Sequence, residues 1–325
     1  MNEKTIVVTG AGGFIGHHLV KRLAAEEGNF VVGVDLKHPQ FEKTAADEFL
    51  IADLRDPTMF ARLDLFESCE EVYALAADMG GMGFISTAEC DILRNNALIN
   101  INTVDAAAQA GVKRYFFSSS VCVYRDMRAT EKMISEDDAV PANPHNEYGW
   151  EKFYAERVAL AHSRKFDMQV RIARFENCYG PLGTWHGGRE KAPAAICRKV
   201  ANAPDGGVIE VWGDGKAVRV FTYVDDLVEG IVTLMRSDLE GPTNIGCDER
   251  ATVADLVETV INASGKKLGV KYVDGPVGVH SRNFSKARIH SLGWSSKVSL
   301  REGIAKTYAW VEEQVKKSPI KWANE

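Results

Sequence analysis

The stretch 5–16, "TIVVTGAGGFIG", decides the fold class of this chain. An apolar run typical of a buried strand leads directly into a helical pattern, with Gly10, Gly13 and Gly16 between the two. Glycine lets the backbone turn tightly and approach a pyrophosphate, which then lies at the helix N-terminus. The spacing is G-x-x-G-x-x-G, and the G-x-G-x-x-G fingerprint would need glycine at Ile15, so the loop alone is weak evidence for a nucleotide site.

Short β-rich runs alternate with helical patterns through the first half of the chain. Strands are predicted at 5–10, 30–36, 48–54, 71–77, 114–120 and 170–175, and helices at about 14–26, 56–67, 88–110 and 147–162. This alternation indicates parallel β-α-β units covered by helices on both faces. We therefore predict an α/β fold with a Rossmann-type parallel sheet.

The pattern loosens after residue 175, which indicates a second, smaller α/β domain at the C-terminus. A hairpin followed by a helix is predicted in 210–237, and further helices at about 252–264 and 300–316. The predicted nucleotide-binding domain covers 1–175, with a return segment near 215–238. The predicted substrate domain covers 176–325, mainly 176–214 and 239–325.

The composition excludes several classes of protein. The chain has 325 residues, 45% of them hydrophobic, and a net charge of -6, which argues against a general nucleic-acid or membrane-surface binder. The six cysteines show no C-x-x-C pair and no zinc spacing, which favours a reducing compartment and no metal. No signal peptide and no apolar run near the ~18 residues of a membrane helix are found, so a cytoplasmic location is expected.

A carboxylate at the end of the second predicted strand indicates the type of cofactor. Asp35 lies about 20 residues beyond the glycine loop, where a carboxylate accepts hydrogen bonds from ribose hydroxyls. Because it would repel a 2′-phosphate, NAD is favoured over NADP, and Asp53 suits the adenine edge. The other predicted cofactor contacts are Phe14, Ile15, Leu54, Ala76 and Asn96.

The segment "YGWEK" places Tyr148 and Lys152 four residues apart, hence on one face of a helix. An ammonium near a phenol favours the phenolate, so Tyr148 is a plausible base for a hydroxyl proton. A surface pair is the ordinary alternative for this common motif. The run "SSS" (118–120) at the end of an earlier strand strengthens the catalytic interpretation, because Ser120 can supply a hydroxyl to the same site.

Together the glycine loop, the Tyr/Lys pair and the serine run resemble the extended short-chain dehydrogenase/reductase family of nucleotide-sugar enzymes. Two further strings carry the resemblance, "RFENCYGP" (174–181) and "FTYVDDLVEG" (221–230). It implies NAD(P) in the N-terminal Rossmann domain and a nucleoside-diphosphate sugar in the C-terminal domain. It also implies a homodimer formed by the helices near 92–110 and 147–162.

Three unusual strings narrow the resemblance: "AADMGGMGF" (76–84), "SVCVY" with Cys122, and "GGREKAPAA" with Lys191. An isolated cysteine is most often a small buried hydrophobe and an isolated lysine a solvated surface residue. Together, however, the strings resemble the family members that epimerise GDP-D-mannose at C3 and C5. That resemblance implies a transient 4-keto sugar, with GDP-L-galactose and/or GDP-L-gulose as products.

The resemblance also implies roles for individual residues. Tyr148, assisted by Lys152, would take the proton of the sugar 4-hydroxyl, Cys122 would be the base at C3 and C5, and Lys191 the acid. Ser120 and Tyr148 would stabilise the enolate oxygen. The predicted substrate contacts are Met79, Gly80, Gly81, Met82, Ser120, Asn177, Glu190, Lys191, Lys199, Arg219 and Arg282.

The chain departs from the family pattern at two places. Arg125 stands where a proline usually follows the tyrosine, and His280 stands where an arginine would pair with Arg282. Both changes could affect the grip on substrate and the ratio of products.

Other reactions stay open from the sequence. The alternative is a GDP-4-keto-6-deoxymannose 3,5-epimerase/reductase of the GDP-fucose synthase type, which has histidine in place of Lys191 and prefers NADPH. A dehydratase would need a carboxylate in place of Cys122. A non-catalytic NAD-binding sensor or scaffold would typically lack the tyrosine or lysine of the active pair.

Overall fold

A computed structural model describes residues 3–127, 131, 133–275 and 283–318. Its largest feature is a sheet of seven strands, all paired in parallel, in the order β10-β6-β5-β4-β1-β2-β3. The strands are β1 (Lys4–Thr9), β2 (Asn29–Asp35), β3 (Glu48–Ile51), β4 (Glu71–Ala74), β5 (Arg114–Ser120), β6 (Gln169–Phe175) and β10 (Pro242–Ile245). The predicted parallel α/β sheet is confirmed.

Helices cover both faces of this sheet, because the strand side chains point alternately to two apolar cores. Val7 lies in the core beneath α4 and α5, whereas Ile6 and Val8 lie in the core beneath α1 and α7. The helices of this part are α1 (Phe14–Ala24), α2 (Thr58–Arg62), α3 (Met82–Thr87), α4 (Glu89–Gln109), α5 (Glu147–Phe166) and α7 (Val224–Arg236).

The strand order reverses between β1 and β4, since the chain adds β2 and β3 on one side of β1 and then β4 on the other. In open parallel sheets, ligands bind beyond the carboxyl ends of the strands at such a switch point. The glycine loop follows β1, and the segment 76–84, which we call the methionine-glycine segment, follows β4, so both lie at this point.

The smaller part of the molecule contains two short sheets and three helices around a separate core. Its sheets have the orders β11-β9-β7 and β12-β8. Its elements are β7 (Asn177–Tyr179), α6 (Ala192–Asn202), β8 (Val208–Trp212), β9 (Val218–Tyr223), β11 (Arg250–Thr252), α8 (Val253–Ser264), β12 (Gly269–Val273) and α10 (Leu300–Lys317). The short helix α9 (Ala287–His290) belongs instead to the large sheet, since Ile289 lies in the core beneath α1 and α7. The core includes Ile196, Val211, Leu256 and Ile304.

Two local predictions are wrong. The hairpin expected in 210–237 is absent, because β8 pairs in parallel with the distant β12, while β9 lies between β7 and β11. The helix expected at 56–67 is only Thr58–Arg62, since Asp64 and Ser68 adopt positive φ values that end it. The hairpin error comes from taking neighbours along the chain as neighbours in space, whereas the helix error comes from backbone turns that its apolar pattern does not reveal.

The chain returns to the large sheet late in the sequence. Helix α7 packs on one face of the sheet, and β10 extends its edge although it lies beyond the segment 215–238 predicted to return. The two-domain division and its boundaries stay a prediction. Among the described helices, none is both long and apolar enough to span a bilayer.

Candidate active site

The glycine loop after β1 is closely packed, and it leaves no room for a side chain at Gly10, Gly12 or Gly16. Gly10 has φ +73°, and a Cβ atom on Gly16 would come within 2.0 Å of the Gly10 carbonyl oxygen. A Cβ atom on Gly12 would come within 2.1 Å of the Lys37 carbonyl oxygen. Gly12 was not singled out from the sequence, although it stands inside the glycine run. Gly13 begins α1 without a side-chain cap, and Phe14 and Ile15 follow in its first turn.

The Asp35 carboxylate lies at the edge of the glycine loop. It accepts hydrogen bonds from the backbone N–H of Gly12 at 3.0 Å and of Leu36 at 2.6 Å. Burial raises the pKa of Asp35, and these hydrogen bonds oppose the rise. A partly buried carboxylate beside Gly12, where a side chain has no room, fits the ribose and pyrophosphate of a dinucleotide.

The predicted adenine end is more exposed. Asp53 forms an ion pair with Arg55 at 2.6 Å, and Arg55 also donates to Asn95 at 3.2 Å. Asp53 and Arg55 line a surface cavity of about 390 Å³. Leu54 is buried between them, and Ala76 donates its backbone N–H to Thr9 at 3.3 Å.

Helix α5 brings Tyr148 and Lys152 to the site, as the four-residue spacing predicts. Asn146 caps the helix by accepting the backbone N–H of Gly149 at 2.9 Å. Lys152 is 1% exposed, and its Nζ lies 5.9 Å from the Tyr148 ring centroid and 4.9 Å from that of Phe117.

The Lys152 ammonium is a buried polar group that no described residue satisfies by a hydrogen bond. Burial lowers its pKa, while Glu151 and Glu156 oppose that change. Buried polar groups normally have partners, so this ammonium fits a bound molecule that carries hydroxyls, such as the ribose of a dinucleotide.

The three serines that end β5 have different hydrogen-bond partners. Ser118 donates to the Ala74 carbonyl at 2.9 Å, and Ser119 donates to Glu156 at 2.5 Å. The Ser120 hydroxyl accepts the backbone N–H of Cys122 at 3.2 Å and so shapes the turn that carries the thiol.

Cys122 and Tyr148 lie in one apolar cluster, which we call the Met–Cys cluster. Its members are Met79, Met82, Phe84, Ile85, Ala88, Ile92, Cys122 and Tyr148. The turn and the helix touch closely, because a Cβ atom on Gly149 would come within 2.1 Å of the Cys122 carbonyl oxygen. The structure thus brings together two of the predicted catalytic side chains and both predicted methionines.

Only the first part of the methionine-glycine segment is a loop, because helix α3 begins at Met82. Its close contact is with a segment of the smaller part of the molecule. Gly81 donates its N–H to the Arg189 carbonyl at 3.0 Å, and a Cβ atom on Gly81 would come within 2.4 Å of the Glu190 carbonyl. A Cβ atom on Gly80 would meet the Phe84 ring at 2.8 Å, whereas Gly83 has open space.

Lys191 stands at the N-cap of α6, next to this contact, and its side chain is partly buried. The Glu190 carboxylate accepts the Gly188 N–H at 2.7 Å and pairs with Arg198 at 2.9 Å. Glu190, a predicted substrate contact, therefore also holds its own segment in shape.

Several predicted contacts are engaged elsewhere in the structure. Asn177 donates to the Val220 carbonyl at 3.0 Å, Lys199 to the Glu210 carbonyl at 2.7 Å, and Arg219 to the Val218 carbonyl at 2.9 Å. Asn96 binds the backbone of Asp78 with both of its polar atoms. Arg282 and His280 lie outside the described residues, and Arg125 pairs with Glu131 at 2.7 Å.

Sequence reasoning missed a buried ion pair beneath the site. Arg174 and Glu156 lie 2.7 Å apart, with side chains 3% and 2% exposed. Arg174 also donates to the Tyr124 hydroxyl at 2.9 Å, and Glu156 accepts from Ser119. The pair ties the helix of Tyr148 to the turn of Cys122. A usable signal was the position of Glu156, four residues beyond Lys152 on the same helix face.

The described residues contain no group of three or more His, Cys, Asp or Glu side chains arranged to hold a metal ion. All six cysteines are free thiols.

Comparisons with known proteins agree with this geometry. Residues 6–246 match the family described as "NAD dependent epimerase/dehydratase family". The chain is 42% identical to the GDP-mannose 3,5-epimerase of Arabidopsis thaliana, over 97% of this chain and 84% of that protein. It is 26% identical to the GDP-L-fucose synthase of Escherichia coli, over 96% and 98%. The UDP-glucose 4-epimerase of Thermus thermophilus, solved in complex with NAD, superposes with a TM-score of 0.82 at 25% identity, over 94% and 98%.

Proposed function

This chain belongs to the NAD dependent epimerase/dehydratase family, and we propose that it epimerises GDP-D-mannose at C3 and C5. The observation that carries the proposal is that Cys122 packs in the same apolar cluster as Tyr148, the Met–Cys cluster. A simple 4-epimerase needs the tyrosine but no second acid–base group, and a dehydratase would need a carboxylate here. The 42% identity to a GDP-mannose 3,5-epimerase supports the choice of sugar nucleotide.

The residues that would hold NAD are the glycine loop, Asp35 and Lys152. The chemistry that NAD supplies when bound is the reversible oxidation of the sugar at C4. Tyr148 Oη takes the proton of the 4-hydroxyl as the carbonyl forms and gives it back at the end of the cycle. The positive charge of Lys152 favours the phenolate form of that tyrosine.

The carbonyl at C4 makes the hydrogens at C3 and C5 acidic. Cys122 Sγ, as the thiolate, removes the proton from one face, and Lys191 Nζ delivers a proton to the opposite face, which inverts the carbon. The enolate oxygen formed in between accepts hydrogen bonds from the Tyr148 and Ser120 hydroxyls. Inversion at C5 alone gives GDP-L-gulose, and inversion at both carbons gives GDP-L-galactose.

The GDP-fucose synthase type of reaction is the second candidate. The E. coli synthase matches this chain over nearly its whole length, and this match supports the second candidate. Two features of this chain speak against it. A lysine stands at position 191 where that type has a histidine, and the Asp35 carboxylate disfavours the NADPH that a net reduction would consume.

A homodimer is part of this proposal. Three large apolar side chains on α4 and α5 are exposed: Ile101 at 37%, Trp150 at 42% and Tyr154 at 53%. Trp150 and Tyr154 are four residues apart on one helix face, which suits packing against the same helices of a second copy. Replacing both by Glu should give a monomer in light scattering, while Val208→Glu, at an exposed apolar site on β8, should not.

We also propose a reducing, cytoplasmic location, which the six free thiols support.

The proposed function is tested by product analysis. Purified protein incubated with GDP-mannose, without added reductant, should form GDP-L-galactose, GDP-L-gulose or both, and Tyr148→Phe should form neither. Consumption of NADPH with GDP-4-keto-6-deoxymannose, and no epimer from GDP-mannose, would favour the second candidate.

A further inference from the structure

The segment 189–191 is attached to the rest of the molecule by its first residue. Arg189 pairs with Asp78 at 2.9 Å, and its guanidinium lies 3.8 Å from the centroid of the Phe84 ring. Its carbonyl accepts the Gly81 N–H at 3.0 Å. All three partners belong to the 78–84 region that follows β4, so Arg189 connects the smaller part of the molecule to the cofactor sheet.

Asp78, the residue that pairs with Arg189, is itself fixed by several hydrogen bonds. One Asp78 oxygen accepts from Asn95 at 2.9 Å, while the other pairs with Arg189. Asn96 accepts the Asp78 N–H at 2.6 Å and donates to the Asp78 carbonyl at 3.1 Å. Asn95 and Asn96 are buried on α4. An exposed ion pair alone contributes little, but a fixed carboxylate, a ring stack and a backbone hydrogen bond together define one geometry.

The second residue of the segment is held from the other side. Glu190 accepts from Gly188 and pairs with Arg198 of α6. Lys191 follows directly as the N-cap of that helix. The place of Lys191 is therefore set by two attachments, one to the cofactor sheet through Arg189 and one to α6 through Glu190.

We propose that Arg189 is the positioning residue for Lys191: its contacts with Asp78, Phe84 and Gly81 hold the Lys191 ammonium against the face of the sugar opposite Cys122. This inference rests on the proposed function, because it assigns Arg189 to the proton-delivery half of the inversion. Removal of the proton by Cys122 does not depend on it, since Cys122 is held by β5 and α5.

The test measures inversion and exchange separately in deuterated water. When proton delivery by Lys191 fails, a carbon that Cys122 has deprotonated is reprotonated on its original face and returns as GDP-mannose carrying deuterium. Arg189→Met should therefore lower the ratio of inverted product to labelled GDP-mannose about 10- to 100-fold, within the range of a general acid. Bound NAD and KM for GDP-mannose should stay within about twofold of wild type, because Arg189 is not required for either.

Two further variants and a control sharpen the result. Asp78→Asn removes the charge at the other end of the pair without changing its size, and it should lower the same ratio in the same direction. Arg189→Lys keeps the charge but loses the planar fork, so it should give an intermediate ratio. Arg301→Met, at an exposed site on α10, should behave as wild type.

A double variant identifies the residue through which Arg189 acts. In a Lys191→Ala background, Arg189→Met should leave the rate of label uptake into GDP-mannose unchanged. A wild-type ratio in Arg189→Met, or loss of label uptake together with inversion, overturns this inference alone. A wild-type protein that neither inverts nor labels GDP-mannose overturns the proposed function, and this inference with it.

Discussion

Lys152 and Lys191 reach the proposed site by different routes. Lys152 is almost completely buried on α5, a capped helix of 20 residues that the Arg174–Glu156 ion pair fastens to the sheet. Lys191 is partly exposed at the start of α6, and contacts of the residues before it hold its segment against the region after β4. The first lysine is fixed by regular structure, whereas the second is fixed by contacts between distant parts of the chain.

This difference suits the two proposed tasks. The oxidation at C4 needs Tyr148, Lys152 and the cofactor in one constant arrangement, which buried elements provide. Proton delivery to two different carbons needs a group that approaches the sugar from the smaller part of the molecule, on the side away from the cofactor. A segment attached at a few points can do this, and its position then depends on each attachment.

The largest expected effect is at Cys122. Cys122→Ala should lower the rate of inversion at C3 and C5 about 1,000-fold, because it removes the proposed base. Bound NAD should be retained, since the thiol belongs to the Met–Cys cluster and not to the glycine loop. The matched control is Cys90→Ala, an exposed cysteine on α4, which should keep wild-type rates in the same product assay. Normal inversion by Cys122→Ala would remove the thiol from the mechanism.

The next largest effect is expected from a substitution of Asp35, beside the glycine loop. Asp35→Asn should weaken NAD binding about 10- to 100-fold, because hydrogen bonds to a charged acceptor are worth about 1.5–3 kcal/mol. It should also reduce the preference for NAD over NADP. Calorimetric titration of both nucleotides measures the two effects, and an unchanged preference would contradict the role given to this carboxylate.

The raised pKa of Asp35 sets the pH dependence of the same interaction. The ionised form binds the ribose, and it is lost as the pH falls through a pKa that lies above the ordinary 3.8. NAD affinity of the wild type should therefore decrease as the pH is lowered toward that pKa, more than that of Asp35→Asn. Parallel pH profiles for the two proteins would show that another group is responsible.

A smaller effect is expected from a matched pair of glycines after β4. Gly81→Ala places a Cβ atom within 2.4 Å of the Glu190 carbonyl, so the 189–191 segment must move. We expect a loss of about 1–3 kcal/mol in the free energy of unfolding and a lower rate of inversion. Gly83→Ala has no atom within 4 Å and lies inside α3, so it should gain about 0.5–1 kcal/mol. Urea unfolding compares the two, and equal effects would mean that the contact with Glu190 is unimportant.

The sequence predicts those parts of the site that short spacings define. Tyr148 and Lys152 lie four residues apart on one helix, and the glycine loop joins consecutive elements, so both follow from local patterns. The alternation of strand and helix patterns likewise predicts the parallel, Rossmann-type sheet.

Contacts between distant segments could not be predicted in the same way. The pairing of Arg189 with Asp78 joins residues that are 111 positions apart, and the burial of Arg174 against Glu156 depends on how α5 packs on the sheet. The same limit explains the wrong hairpin, since β8 has its partner in β12 and not in the next strand. Among the glycines after β4, Gly80 and Gly81 lie in close contact with other residues, whereas Gly83 has open space. The neighbour at Gly81 is the chain itself, and a contact with the sugar there stays a prediction.

The most direct test of the central claim is incubation of the protein with GDP-mannose in deuterated water, followed by NMR of the recovered sugar nucleotides. Proton removal at both carbons next to a transient C4 carbonyl should place deuterium at C3 and C5, with no added reductant and with no label at C4. Label at neither position, or epimers formed without any label from solvent, would contradict the proposed mechanism.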